Sequence, residues 1–169
     1  NGSVEQKEKW LPKLASGEVV GTFALAEGSG RPSAESLNTR FEAEKLTGKK
    51  LPVPDGNIAD FAVIVTKSDT GDGASLTLVE LNQEAVIKSS VRTLDFSRGH
   101  ASIEFKGAEA EILGAEGSGW SAMESLMDRA AVMFAWEQVG IADAALEQAR
   151  DYAMGRYAFG RAIASYQAI

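Results

Sequence analysis

The chain has 169 residues, 44% hydrophobic and 24% charged, the balance of a folded globular protein with room for one full core or for a sheet domain plus part of a helical one. A net charge of −7, with no Lys/Arg cluster set against it, argues against a nucleic-acid or anionic-membrane surface. The lack of cysteine excludes disulfides and thiolate metal sites, and the single His100 argues against a histidine metal site or a Ser-His triad. No apolar run has membrane-spanning length and none resembles a signal peptide, so a cytoplasmic location is expected.

In chain order, residues 4–15 predict a helix. Val4, Trp10, Leu11 and Leu14 share a face, Glu5 and Lys9 pair at i,i+4, and Pro12 predicts a kink or an early end. Ser16-Gly17-Glu18 is the stop. Val19–Ala26 predicts a strand, apolar on both sides and therefore central. Glu27-Gly28-Ser29-Gly30-Arg31-Pro32-Ser33 follows as a glycine-rich loop. Such a loop lets backbone N–H groups approach a ligand, and it serves equally as plain surface.

From Thr39 to Phe105 the pattern is all β. Strands are predicted over 40–46, 49–53, 61–66, 75–81, 85–94 and 101–105, with a further short one over 109–113. Turn signals separate them at Thr47-Gly48, Pro54–Asn57, Asp69–Gly73 and Arg98-Gly99. Many short strands predict an antiparallel barrel or sandwich. There is no βαβ alternation, and Gly28-Ser29-Gly30 lacks the third glycine and the following helix of a dinucleotide fingerprint.

Gly114–Gly119 is a joint, after which the period becomes helical. Trp120–Tyr152 predicts one long helix, rich in alanine and other small residues that admit a close neighbour, and a helix of this kind belongs in a bundle. Tyr152–Ile169 predicts an Ala-rich helix that meets Gly160 and restarts. Both ends read as cut, so the chain is expected to be the middle of a longer polypeptide. The expected fold class is α+β: an antiparallel β-barrel or sandwich middle domain followed by long helices of an incomplete four-helix bundle. The expected divisions are 1–18, 19–116 and 117–169. From the residues alone, Arg156 is a solvated helix charge, Phe159 core and Gln167 surface. Glu27 and Glu137 are a loop charge and a helix charge, and a β-barrel binding module with a helical tail would suffice.

Order and motif together resemble the acyl-CoA dehydrogenase family over essentially the whole chain. The resemblance runs through Glu5-Gln6-Lys7-x-Lys9-Trp10-Leu11-Pro12, Phe23-Ala24-Leu25-Ala26-Glu27, Leu46-Thr47-Gly48-x-Lys50, Ala59-Asp60 and Leu113-Gly114-x-x-Gly117-x-Gly119. It ends on Arg156-x-x-Phe159-Gly160-Arg161-x-Ile163-x-x-x-Gln167-Ala168-Ile169, the most specific of these patterns. The resemblance implies FAD bound between a β domain and a helical bundle, usually in a homotetramer. It implies an acyl-CoA substrate converted to the 2-enoyl-CoA, and an electron-transferring flavoprotein as electron acceptor.

Carried over residue by residue, it places Leu25, Ala26, Glu27, Ser33, Pro52, Val53, Pro54, Arg156, Phe159 and Gln167 toward the cofactor and Asp128 toward the CoA nucleotide. Arg156 and Gln167 are implied to reach the FAD of a neighbouring subunit, where a fixed cation suits a pyrophosphate and an amide both donates and accepts. No catalytic residue is expected in the chain, the family's glutamate base being expected beyond Ile169. The sequence departs from the family at Ala26, where a hydroxyl residue is usual, and at Pro52-Val53-Pro54, where the family has Trp-Ile-Thr. It departs again at Ala131, where an arginine is usual. These departures raise an alternative: a subunit that completes its flavin site only with a related partner.

Overall fold

The computed structural model describes all residues from Asn1 to Ile169 and divides into two compact units, Asn1–Glu124 and Ser125–Ile169. The first opens with α1 (Val4–Ser16). Ser3 caps it through a reciprocal capping box with Gln6, and Gly17, at φ 74°, closes it. Pro12 does not end the helix early: α1 runs on to Ser16, at the loss of the one N–H that proline cannot supply. The expected apolar face is also narrower than the sequence suggests. Only Trp10 is buried, its ring 4.2 Å from that of Phe61, whereas Val4, Leu11 and Leu14 are exposed.

The strands are β1 (Gly21–Ala24), β2 (Arg40–Glu42), β3 (Lys45–Pro54), β4 (Phe61–Lys67), β5 (Ala74–Glu80), β6 (Val86–Val91) and β7 (His100–Ile112). They close a ring, β4-β2-β3-β7-β5 and back to β4, with β1 added to β4 and β6 to β7. The sheet is mixed rather than antiparallel, because β1 and β2 both meet the same edge of β4 in parallel. β1 is accordingly not a central strand; its regular pairing is one-sided, and the chain beyond it crosses to β3 through a bridge between Glu27 and Leu51.

Two turns lie elsewhere than predicted. The chain reverses at Ala43-Glu44, both at positive φ, and β3 runs straight through Thr47-Gly48. Gly48 is required for close approach: a Cβ there would lie 2.6 Å from the Thr39 Cα. The strands predicted at 101–105 and 109–113 are one strand, β7. Gly107 (φ 76°) marks the bulge at which the β3–β7 register shifts.

The barrel interior is filled by Leu46, Val53, Ile64, Val79, Ile103 and Phe105. β4 is buried on both faces, which explains its unbroken apolar run. Its outer face packs Val65 with Leu37, Leu76 and Met123, and Phe61 with Trp10 and Leu78. The first turn of α2 (Gly119–Gly155) is fixed by Asp72, whose carboxylate accepts from the backbone N–H of Trp120 at 3.1 Å and of Ser121 at 2.8 Å.

The second unit holds the remainder of α2 and a small hairpin. The helix does not restart after Gly160, as the sequence suggests. α2 ends at Gly155, and β8 (Tyr157–Ala158) pairs antiparallel with β9 (Arg161–Ala162). The turn residues Phe159 and Gly160 have φ of 53° and 80°, as a two-residue type I′ turn requires. No helix is long and apolar enough to cross a membrane.

Candidate functional site

The end of β1 and the loop after it are organised by one carboxylate. Glu27 Oε2 accepts from the Asn38 N–H at 2.7 Å, and Oε1 accepts from the Thr39 N–H at 3.0 Å and from Lys50 Nζ at 2.7 Å. Lys50 Nζ also donates to the Leu25 carbonyl at 3.0 Å. The Lys50 side chain is fully buried, and that of Glu27 is 12% exposed. Burial on its own, the largest single influence, would raise the Glu27 pKa, but Lys50 and the Thr39 N–H outweigh it and hold the carboxyl below its ordinary range. Burial pushes the Lys50 ammonium down, and Glu27 opposes this. Glu27 is therefore not the loop charge that the sequence suggested; it is the inner half of a buried ion pair.

Around this pair, the Ala26 carbonyl accepts from the Leu51 N–H, and the Gly28 N–H donates to the Leu51 carbonyl, both at 2.8 Å. Ser33 caps the one-turn 3-10 helix Ala34–Ser36 through a reciprocal pair of bonds with Ser36. The residues Leu25 to Asn38 enclose a cleft of about 140 Å³, small beside the volumes of typical whole-ligand pockets. On β3, Pro52 and Pro54 face outward, whereas Val53 is fully buried in the barrel, so the side chain of Val53 is turned away from any outer ligand. Pro52 sits where the β3–β7 register breaks, a position at which a strand tolerates a missing N–H, and Pro54 is the last residue of β3, opposite His100.

In the second unit, Arg156 follows the last turn of α2. Its N–H donates to the Tyr152 carbonyl, and its own carbonyl accepts from Ile163, both at 2.8 Å. Its side chain is exposed. Phe159 is the hairpin tip and is 99% exposed, which corrects the expectation of a core residue: a residue at the first turn position cannot reach inward. Gln167 is exposed in a final turn, and Asp128 is exposed on α2. Two residues that sequence reasoning passed over organise this corner. The Tyr166 hydroxyl donates to the Ala158 carbonyl at 2.9 Å, and the Arg161 guanidinium stacks 3.8 Å above the Tyr166 ring. The sequence did hold a signal for Lys50, since period two places it on the same strand face as buried Leu46.

A closed mixed barrel whose last strand leads into a long helix defines the class to which the chain is compared. Residues 117–169 match the model of the acyl-CoA dehydrogenase C-terminal domain. The chain is 36% identical to an acyl-CoA dehydrogenase of Bacillus subtilis (strain 168), over 99% of this chain and 48% of that protein. It is 32% identical to a mitochondrial isovaleryl-CoA dehydrogenase of Arabidopsis thaliana, over 100% of this chain and 44% of that protein. It superimposes on a glutaryl-CoA dehydrogenase from Mycobacterium smegmatis in complex with FADH2 with a TM-score of 0.84 at 26% identity, covering 99% of this chain and 45% of that one. The chain belongs to the acyl-CoA dehydrogenase family, and it spans about half the length of the curated relatives it matches.

Proposed function

We propose that this chain is part of an FAD-dependent acyl-CoA dehydrogenase that removes the α proton and β hydride of an acyl-CoA thioester to give the 2-enoyl-CoA. In this reading, residues 1–18 close a helical domain, 19–116 form the middle β domain and 117–169 open the C-terminal bundle. The observation that carries it is that one continuous similarity, above 30% identity, spans barrel and helix together.

The residues present fit a flavin nucleotide through backbone and cation. Gly28 and Gly30 sit at positive φ, and a Cβ on either would meet nothing within 4 Å, so the chain is open to close approach there. The amides of Ser29, Gly30 and Arg31 donate to no acceptor in this chain. Leu25, Ala26 and Ser33 flank these donors, Pro52 and Pro54 present the outer wall, and Val53 contributes backbone only. Arg156, in no ion pair, is suited to a pyrophosphate, with Gln167, further along the same terminal segment, as donor and acceptor; both would serve a neighbouring subunit of a tetramer. The exposed ring of Phe159 would cover the cofactor edge, and Asp128 would meet the CoA nucleotide. FAD, when bound, supplies the hydride acceptor, and an electron-transferring flavoprotein would then receive the electrons.

The test is the absorbance of the full-length polypeptide carrying these residues. The reading predicts a yellow protein that bleaches on addition of acyl-CoA; a colourless protein, inert to acyl-CoA after FAD supplementation, contradicts it.

A second reading has its own support. Ala26 offers a methyl group where a hydroxyl would bond a flavin, and outward-facing Pro52 and Pro54 supply neither a stacking ring nor a hydroxyl. The subunit would then retain flavin only when co-expressed with a related partner. A fully flavinated, active homomer removes this alternative.

A further inference from the structure

We propose that Glu27 and Lys50 form a positioning pair that presets the loop Gly28–Leu37 so that the backbone amides at its apex meet the oxygen atoms of a flavin nucleotide. The inference rests on the cofactor proposed above but concerns residues that do not touch the ligand.

The geometry is that of a clasp. Glu27 stands where the loop begins, and its carboxylate accepts the consecutive amides of Asn38 and Thr39, where the loop ends. Both ends are thus held by one side chain. Lys50, from β3, neutralises that carboxylate and adds a bond to the Leu25 carbonyl, so β1, β3 and the loop exit meet at one buried point. Both charged groups are engaged within the chain: the Lys50 side chain has no exposure, and the Glu27 carboxylate, 12% exposed, accepts from Asn38, Thr39 and Lys50.

Stability alone would not call for such a pair. A well-packed apolar pair of similar volume holds a fold at least as well, without the desolvation of two charges. A carboxylate is distinguished by its ability to fix two adjacent N–H groups in one register. Between the clasp and the anchor of Leu37 in the outer core, the loop apex is only lightly held: positive-φ glycines open to solvent, three amides without acceptors, and the Ser33–Ser36 box. Its donors therefore point where the clasp sets them. A ligand that uses those donors gains affinity in proportion to the fraction of time the loop is already in place.

The experiment compares wild type, Lys50→Met and the double variant Glu27→Leu/Lys50→Met in the full-length polypeptide. Backbone hydrogen exchange is read without flavin, and FAD is then titrated by fluorescence quenching. The double variant, which leaves no unpaired buried charge, keeps its thermal midpoint close to wild type. Its exchange over residues 28–39 rises, while exchange in β5 and β7 does not change, and its FAD affinity falls at least about tenfold. Wild-type exchange and affinity in the double variant would overturn the proposal, as would an increase spread evenly over the barrel. A wild-type protein that binds no flavin overturns the cofactor reading itself and the ligand role of the pair with it. That failure is recognised because it appears before any substitution is made.

Discussion

β4 and the later turns of α2 are both rich in large apolar residues, and the structure uses them in opposite ways. β4 is enclosed on both faces, by the barrel interior on one side and by Trp10, Leu37 and Met123 on the other. Beyond Glu124, α2 leaves Val132, Met133, Trp136, Val139 and Leu146 largely in water, with Trp136 73% exposed. β4 finds both of its covering layers within the first unit, whereas α2 displays a surface that only another helix or another copy can cover. Apolar content therefore does not distinguish a finished core from an interface; what distinguishes them is whether the same chain supplies the opposing layer.

The comparison is broken most severely by substitution inside the barrel. Phe105→Ala removes a ring that is 1% exposed and is expected to cost about 3–5 kcal/mol. Val139→Ala on the exposed face is expected to stay within about 0.5 kcal/mol. Urea denaturation of the two variants checks this, and equal losses would erase the distinction between the regions.

A smaller effect is expected at the start of α2. Asp72→Ala removes the cap of the helix and is expected to cost about 1 kcal/mol, read as faster amide exchange at residues 119–123. The same contact makes a pH prediction. Burial, the largest single influence on Asp72, would raise its pKa, but bonds from the Ser121, Trp120 and Ala74 backbones outweigh it and hold it below the ordinary carboxylate value. The folded pKa lies below the unfolded one, so the stabilisation is complete above the ordinary carboxylate range, about pH 4. It is lost as the pH falls below that value. Exchange at the helix start should therefore rise on acidification in the wild type and stay flat in the Asp72→Ala variant.

The smallest effect on stability falls on the exposed face. The chain is expected to self-associate through α2, and Trp136→Gln with Val139→Lys should shift light scattering toward monomer while leaving the denaturation midpoint within about 0.5 kcal/mol of its starting value. Scattering that shows a clean monomer from the outset would contradict this.

Much of the architecture was legible because it rests on local pattern. The apolar runs of β4 and β5 and the helical period of α2 declare themselves. What the sequence concealed depends on contacts made at a distance. Ala43-Glu44 reverses the chain without Gly, Asn or Pro, so no turn signal marks it, while Gly48 mimics a turn although its purpose is the approach of Thr39. Gly107 looks like a strand end and is a bulge. The spacing of Arg156, Phe159 and Ile163 imitates a helix, although Phe159-Gly160 is a hairpin turn. At the site, the family resemblance pointed to Glu27 and Arg156, but the Glu27–Lys50 bond joins residues 23 positions apart and follows only from the bridge between β1 and β3.

The most direct test of the central claim is an FAD titration of the full-length polypeptide beside its Arg156→Met variant, with circular dichroism to confirm that both are folded. The account predicts saturable flavin binding in the wild type and at least about tenfold weaker binding in the variant, as expected when a charge-assisted phosphate contact is removed. Equal affinity in the two proteins would contradict the assignment of Arg156, and no binding in either would contradict the flavin site altogether.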